Sequence, residues 1–425
     1  MSTRATSPSP FSPQLRRAEP ETASIDRLIW LVGLSHGTNH FLMLIFPAVL
    51  LLVQAEFGLG YGGLGMLASA SFLCYGLLAL PAGMLADRLG GERVLAVWLL
   101  GGSLACCGIG LATGPWTLGA GLGILGLFAS LHHPAGSGIL VGLRQRLGAD
   151  VARAFGRSGI MGNVGLAGSP ILTAAIGARW GWRTAFFVGA LPGLLLFLPL
   201  WRQPRLTSIE PGPAAGRTSQ QTGQADTAFT SPLVILFGLE TLMGFVFQGF
   251  STFLPAHLAG HAGIAALTAT QVRRGGAFAS LALLFGGLGH LTAGRLMGYR
   301  HREALFLATV TVSTCCLAGM GTVGGTPLVL CSILFSFTYF ALGTISNTFM
   351  ALHTPPRLGG TVFGITFGLA FGFGSMASST MGILAERFGL AAVFLALGLV
   401  SLGGVGLVAW FAAATAGWRG HRPSG

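Results

Sequence analysis

The chain has 425 residues, of which 52% are hydrophobic and only 8% are charged. Soluble domains carry about 25% charged residues, so this composition excludes an ordinary soluble protein. The formal net charge is +12, and all 24 basic residues are arginine. The absence of lysine excludes a P-loop and a Schiff-base enzyme. The arginines lie between apolar runs rather than on one basic face, so the expected partner is a lipid bilayer and not a nucleic acid.

Twelve apolar runs have the length that a helix needs to cross a bilayer. Helices 1 to 6 are predicted near 28–53, 62–83, 94–112, 116–141, 157–178 and 184–201. Helices 7 to 12 are predicted near 232–256, 275–296, 303–322, 326–350, 359–383 and 388–415. The fold class is therefore predicted to be an all-α polytopic membrane protein.

The polar segments between and around these runs complete the predicted organisation. Residues 1–27 contain a stretch rich in Ser, Pro and Arg with no apolar core of a signal peptide, and predict a disordered cytoplasmic tail. An N-terminal six-helix bundle (28–201) and a C-terminal one (232–415) are separated by a polar cytoplasmic linker (202–231). Residues 416–425 form a short cytoplasmic tail.

The arginine distribution predicts the orientation. With both termini in the cytoplasm, 19 arginines lie on the cytoplasmic side and five on the other, as the positive-inside rule requires. A composition without lysine and rich in Gly, Ala and Arg is typical of a GC-rich bacterium, so we expect a bacterial inner membrane.

The two halves repeat in sequence at an offset of about 208 residues. Pro47 aligns with Pro255, Phe155-Gly156 with Phe363-Gly364, and the ADRL sequence at 86–89 with AGRL at 293–296. Several matches at one offset indicate duplication of a six-helix unit.

The loop after helix 2 reads Gly83-Met-Leu-Ala-Asp87-Arg88-Leu-Gly90-Gly-Glu-Arg93. It resembles the G-x-L-a-D-r-x-G-r-r signature of the major facilitator superfamily, and the resemblance to that family extends over 28–415. It implies a transporter that works by alternating access between two six-helix halves, usually as a monomer. It also implies a gating role for Gly83, Asp87, Arg88, Gly90 and Arg93, with Asp87 against the start of helix 11. An ordinary positive cytoplasmic loop is the alternative.

The first half resembles the fosmidomycin-resistance branch of that superfamily. His36-Gly-Thr-Asn39-His40 corresponds to the branch's H-F-x-N-D element in helix 1, and the LHHPA sequence at 131–135 corresponds to F-H-P-E in helix 4. His40 and Ala135 stand where the branch has its two acids.

Helix 5 carries part of a glycine pattern found in antiporter members of the superfamily. Gly156, Gly165 and Pro170 fit the pattern, and small residues replace its other glycines. This favours export over uptake, although glycine-rich helix packing explains the residues nearly as well.

Ionisable groups inside membrane helices usually mark a pathway or a proton relay. Glu240 is the only acid deep in an apolar run, so we predict that it is the leading proton carrier. A hydrogen-bonded structural acid is the alternative.

His36 and His40 lie on one face of helix 1, four residues apart. Proton coupling or substrate contact is the leading interpretation for this pair; a metal site or a structural role remain alternatives.

Further polar residues in the apolar runs are candidate substrate ligands. Of His132 and His133, adjacent in helix 4, only one is expected to face the central cavity, because neighbouring residues point about 100° apart. The predicted substrate-binding residues are Asn39, His132, His133, Asn163, Gln248, Tyr75, Tyr339, Asn347 and Arg157. For most of them taken singly, a hydrogen bond between packed helices is an equally simple explanation.

These observations predict a secondary transporter that exchanges protons for a small, drug-like organic compound. The alternative cargo is a metal cation such as iron, bound by the histidines of helices 1 and 4. An enzyme is not expected, because no nucleophile is paired with a base. No cofactor is predicted.

Overall fold

The computed structural model describes residues 13–143, 151–204, 231–260, 269–297, 301–354 and 359–419. Within these ranges it contains twelve spans that are long and apolar enough to cross a membrane. The predicted all-α architecture is confirmed. Most of the predicted linker, residues 205–230, lies outside the described residues, as do the first twelve residues of the predicted N-terminal tail and residues 420–425.

The twelve predicted helices correspond one to one with the observed spans. Helices 1 to 6 are Pro13–Met43 with Ile45–Phe57, Tyr61–Leu89, Gly91–Gly110, Pro115–Ala129 with His132–Gly142, Val151–Trp180 and Trp182–Trp201. Helices 7 to 12 are Ser231–Gly260, Ala269–Leu296, Arg302–Met320, Gly325–His353, Gly359–Phe367 continuing through Gly368–Phe373 to Ser375–Phe388, and Leu390–Arg419. Helix 1 thus extends into the segment predicted as a tail.

The outer surface of the bundle is apolar. Leu77, Leu195 and Leu399 are each at least 65% exposed. Exposing such large apolar side chains to water would be unfavourable in a soluble protein, whereas in a membrane protein they contact lipid tails. Helices satisfy their backbone hydrogen bonds internally, which is what the bilayer core requires of a spanning segment.

Prolines are associated with breaks in helices 1 and 4 of the first half. Helix 1 breaks at Leu44, and helix 4 breaks at Ser130 and Leu131. In each case a proline follows the break, Pro47 or Pro134, and it cannot donate a hydrogen bond to the carbonyl four residues earlier. The second segment of helix 4 therefore begins at His132.

Two ends of the bundle can be distinguished. The terminal end contains the finish of helix 6, where Gln203 Nε2 donates to the carbonyl of Ser24 at 3.2 Å. The far end contains the connection between helices 1 and 2, where Gly58 has a φ of 63°.

The two halves meet mainly through helix 2 against helix 11 and helix 5 against helix 8. Between helices 2 and 11, Ser69 Oγ lies 2.6 Å from Ser379 Oγ, and Gly62 N donates to Glu386 Oε2 at 2.9 Å. Between helices 5 and 8, Ile171 N donates to Ser280 Oγ at 2.8 Å. All these residues lie in the half of the bundle nearer the far end, so the halves are joined there.

Candidate functional site

Helices 1 and 4 bring four histidine rings together in the interior of the bundle. The His36 ring lies with its centroid 4.8 Å from that of His40 and 5.1 Å from those of His132 and His133. We call these four residues the histidine cluster. His132 is 2% exposed, and the other three are partly buried.

Hydrogen bonds hold the cluster at helix 5 and within helix 1. His36 Nδ1 lies 2.9 Å from the Ser158 carbonyl oxygen and 3.2 Å from Ser158 Oγ. His36 Nε2 lies 3.1 Å from His40 Nε2. The spacing of four residues, one helical turn, is what places these two rings side by side.

Helix 4 is held against helix 1 by two further contacts. His132 Nδ1 lies 3.1 Å from Ser35 Oγ. Asn39 Nδ2 donates to the Ala129 carbonyl at 3.0 Å, and the hydroxyl of Tyr75 lies 3.5 Å from Asn39 Oδ1. Asn39 therefore helps to position the broken part of helix 4, in addition to facing the cavity described next.

A small cavity of about 30 Å³ lies between the two halves, beside His40. Its size is that of about two water molecules. His40 and Gln248, which are equivalent positions in the repeat, both line it, so the cavity lies on the pseudo-symmetry axis of the duplication. The lining residues are Asn39, His40, Met43, Leu44, Phe72, Tyr75, Leu166, Phe247, Gln248, Ser251 and Phe371.

Both adjacent histidines of helix 4 join the cluster, but neither lines the cavity, which the sequence predicted that one of them would face. The His132 ring stacks on His36 at an interplanar angle of 23°. The His133 ring stacks on Phe367 of helix 11, with centroids 5.2 Å apart and an angle of 8°. The two directions, 100° apart, are both interior because helix 4 lies at the junction of helix 1 and the second half.

A fifth histidine was missed by the sequence analysis. His290 of helix 8 lies within electrostatic range of His36 and His40. Its Nδ1 is 2.7 Å from Thr344 Oγ1 of helix 10. An ionisable residue in an apolar run is by itself a reason to predict a functional site. His290 was missed because its repeat mate is Ala82 and no second histidine lies near it in the sequence.

Glu240 lies on helix 7, eight residues before Gln248, and does not line the cavity. Its Oε1 is buried and has no hydrogen-bond partner among the described residues, and the same holds for Ser346 Oγ on helix 10. The two side chains are close enough to interact. This acid is therefore set apart from the histidine cluster.

The remaining polar candidates lie around the cavity rather than in it. Tyr339 donates to the Met243 carbonyl at 3.1 Å, and Asn163 donates to the Gly159 carbonyl at 3.2 Å. Asn347 is exposed on helix 10. The Tyr339 bond joins helices 10 and 7, as the structural alternative expects, whereas the Asn163 bond lies within helix 5.

Arg157 lies at the surface near the start of helix 5. Its guanidinium pairs with Asp26 of helix 1 at 2.5 Å, with side-chain exposures of 45% and 57%. It also lies over the ring of Trp30 at 5.7 Å. The contacts are those of a cation that anchors helix 5 to helix 1.

The predicted gating loop joins helices 2 and 3. Gly90 has a φ of 88°, a left-handed conformation that favours glycine. Arg88 is exposed, and Arg93 lies over the ring of Trp201 at 5.8 Å. Gly83 is partly buried beside Pro134. The side chain of Asp87 lies outside the described residues.

Comparison with known proteins identifies transporters throughout. The sequence profile of the Major Facilitator Superfamily matches residues 29–379. The uncharacterized MFS-type transporter YfnC of Bacillus subtilis is 22% identical, over 89% of this chain and 91% of its own. The cis,cis-muconate transport protein of Acinetobacter baylyi is 24% identical, over 81% and 84% of the two chains. The multidrug efflux pump Tap of Mycolicibacterium fortuitum is 34% identical over 29% of this chain and 30% of its own.

Solved structures share the fold. A bacterial homolog of the human lysosomal transporter Spinster, in an inward-facing and occupied conformation, matches with a TM-score of 0.74 at 15% identity, over 91% of this chain and 96% of its own. The names of the relatives point to different cargoes. The comparisons therefore support the superfamily and do not single out the fosmidomycin-resistance branch that the first half resembles.

Proposed function

Because this chain belongs to the major facilitator superfamily, we propose that it is a proton-coupled transporter that exports a small organic compound across a bacterial inner membrane. The observation that carries the proposal is the histidine cluster beside a cavity between the two halves. Alternating access requires a site at that location, since each half must contact the cargo in turn.

Imidazole is the group best suited to proton exchange in such a site, because it gains and loses a proton near neutral pH. His36 and His40 are in direct contact, and His132 and His133 adjoin them. In this proposal Glu240 is a second proton-binding group. It lies on helix 7 beside Ser346 of helix 10 and outside the cavity lining. The pair in helix 1 is therefore the primary proton carrier in this proposal.

Two observations support export rather than uptake. The glycine pattern of helix 5 resembles that of antiporters, and part of the chain is similar to a protein named as a multidrug efflux pump. With the termini in the cytoplasm, as the arginine distribution predicts, the joined far end is the outer one. The site then belongs to an inward-facing state, from which an exporter loads its cargo.

The aromatic walls of the cavity support an organic cargo. Phe371 stacks on Tyr75 with centroids 4.4 Å apart, and Phe247 stacks on Tyr339 at 5.2 Å. Such faces attract planar, apolar molecules. The polar groups between them, Asn39 and Gln248, would orient the cargo by hydrogen bonds.

A metal cargo is less well supported. The ring nitrogens of His36, His132 and His133 lie within 4.8 Å of one another. However, both nitrogens of His36 and Nδ1 of His132 are already engaged in hydrogen bonds. The cluster also contains only imidazoles, which suit zinc, copper, iron or nickel and exclude hard cations such as Mg²⁺ and Ca²⁺, which favour oxygen ligands.

The test uses purified protein in liposomes that contain a pH-sensitive dye. Aromatic drugs and then divalent metals are added to the wild type and to His40→Ala, with His301→Ala as the control, because His301 is an exposed histidine outside the cluster. A pH change on addition of an organic compound, lost only in His40→Ala, supports the proposal. A response to metals alone would establish the metal alternative, and an undiminished organic response in His40→Ala would overturn the role of the cluster.

A further inference from the structure

The hydrogen bonds of His36 fix which ring nitrogens of the helix 1 pair carry protons. His36 Nδ1 lies 2.9 Å from the carbonyl oxygen of Ser158, and a carbonyl can only accept. Nδ1 must therefore carry a proton, and in a neutral ring Nε2 is then the acceptor. The 3.1 Å contact with His40 Nε2 consequently requires His40 to donate from Nε2. The lone pair of His40 is left on Nδ1.

That lone pair belongs to a residue in the cavity wall. His40 lines the cavity, and its Nδ1 has no hydrogen-bond partner among the residues that the structure describes. The volume of about 30 Å³ is enough for a short water chain. His40 Nδ1 is therefore the one nitrogen of the pair that no described residue covers, whereas Ser158 and His40 cover both nitrogens of His36.

We propose that His36 and His40 act as one proton-binding unit that holds a single extra proton, and that this proton enters and leaves through His40 Nδ1. The inference rests on the proposed proton-coupled function and specifies the site where coupling occurs.

A hydronium ion in the cavity gives its proton to the lone pair of His40 Nδ1 and is left as water, which makes that ring an imidazolium. The proton on His40 Nε2 can then pass to His36 Nε2, so the charge is shared between the rings while His36 Nδ1 keeps its bond to Ser158. One proton has been gained and none lost.

A second proton is excluded by the same geometry. With both rings charged, His36 Nε2 and His40 Nε2 would both be donors, 3.1 Å apart, and the bond between them would be lost. Two positive charges would also adjoin in a low-dielectric site.

Among the described residues, no negatively charged group faces the pair. The titratable groups around it are His132 and His133 from helix 4, His290 from helix 8 and Tyr75 from helix 2, which lines the cavity together with His40. None of these is negative at neutral pH. Helix 7 contributes the neutral amide of Gln248 and helix 11 the ring of Phe371; Glu240 makes no contact with the pair.

The unit also defines what the cargo must offer. A cargo N–H or O–H that donates to His40 Nδ1 occupies the lone pair that a proton needs, so cargo and proton exclude each other. Gln248 Oε1 is buried without a partner among the described residues, and its amide lines the same cavity. The expected cargo is therefore a planar compound with hydrogen-bond donors rather than a hydrocarbon.

The experiment is ¹⁵N solid-state NMR of histidine-labelled protein in liposomes, from about pH 8 to about pH 5, across the range where imidazole titrates. His40→Gln and His36→Gln assign the two rings. At the higher pH we expect His36 protonated on Nδ1 and His40 protonated on Nε2. On acidification the pair should gain one proton. Ser158→Ala retains the carbonyl and should leave this pattern unchanged.

His257 is an internal reference, since its Nε2 lies 2.8 Å from the Met320 carbonyl and it does not line the cavity. Finding His36 protonated on Nε2 alone, or both rings charged at once, would overturn the inference. If liposomes still showed proton-coupled transport in that case, the proposed function would stand without this site. Correct proton positions in a protein that moves no protons would overturn the proposed function instead.

Discussion

The two halves of this transporter share an architecture and differ in their chemistry. In the first half, His36, His40, His132 and Asn39 are joined by hydrogen bonds to each other or to adjacent helices. In the second half, Glu240 is separate from the cavity, and its Oε1 lacks a partner among the described residues. To the cavity lining this half contributes two aromatic residues, Phe247 and Phe371, and two uncharged polar residues, Gln248 and Ser251, but no histidine.

The duplication therefore accounts for the shared helical architecture, but the ionisable residues are distributed unequally between the two halves. His40 and Gln248 are repeat mates in the same cavity, but one can bind a proton and the other cannot. Glu240 has Val32 as its mate, and His290 has Ala82. In the proposed function, this asymmetry lets the first half bind protons while the second half presents a surface for the cargo.

Both halves can contribute to one site only if they close against each other at the far end. The substitution Gly65→Ala, which lies in that contact, is therefore expected to have the largest effect on transport. A Cβ at Gly65 would collide with the Ser378 carbonyl across the helix 2–helix 11 contact. Overpacking of this kind costs about 1–3 kcal/mol, here in the closed state alone, so transport should fall by roughly 10-fold or more.

Gly168→Ala is the matched control, because a Cβ at this helix 5 position has nothing within 4 Å. Transport rates in liposomes and accessibility of a cysteine introduced at the far end would both be measured. Equal behaviour of the two variants would contradict the importance of this contact.

The hydrogen-bonded network of the first half can be tested through its most buried member. His132→Phe keeps a ring of similar size but leaves Ser35 Oγ, which is fully buried, without its partner at 3.1 Å. An unsatisfied buried polar group costs about 1–3 kcal/mol, so the thermal stability in detergent should fall.

Ser35→Ala in the His132→Phe background should recover part of that loss, since it removes the unpaired hydroxyl. A double-mutant cycle without coupling between these positions would show that the contact does not stabilise the cluster.

The sequence predicted the scaffold well because membrane spans are set by long apolar runs. All twelve runs became spans, and the repeat correctly paired His40 with Gln248. The break in helix 4, at Ser130 and Leu131, lies just before Pro134 and also has a local cause. These features depend on local sequence.

The site was only partly predictable because it depends on packing between helices distant in the chain. Ser158 and Phe367 bear on the cluster from helices 5 and 11, and nothing near them in sequence indicates this. For Arg157 and Tyr339, the residue type suggested a ligand, but a nearby carboxylate or carbonyl is the partner.

Glu240→Gln sharpens the contrast between the halves. Because Glu240 lies outside the cavity lining, its loss should reduce proton-coupled transport by only about two- to threefold, against roughly 10-fold or more for His40→Ala, the expected pathway residue. Both rates are measured in the same liposomes as a function of the imposed pH gradient. A greater loss in Glu240→Gln than in His40→Ala would reverse the assignment of the primary proton carrier.

The smallest effect is expected at the terminal end, where Arg157 pairs with Asp26. Both side chains are about half exposed, and exposed ion pairs contribute about 0–1 kcal/mol. Arg157→Gln and Asp26→Asn should therefore each lower stability by less than about 1 kcal/mol, and the loss should disappear at high salt because such pairs are screened.

Transport by these two variants distinguishes an anchor from a substrate ligand. If Arg157 only joins helix 5 to helix 1, both substitutions break the same contact and should change the KM for cargo equally little. If Arg157 bound the cargo during another step of the cycle, Arg157→Gln would raise the KM while Asp26→Asn left it unchanged, since Asp26 contributes nothing but the pairing charge. An unequal pair of KM values would therefore extend the site beyond the histidine cluster to the terminal end of the first half.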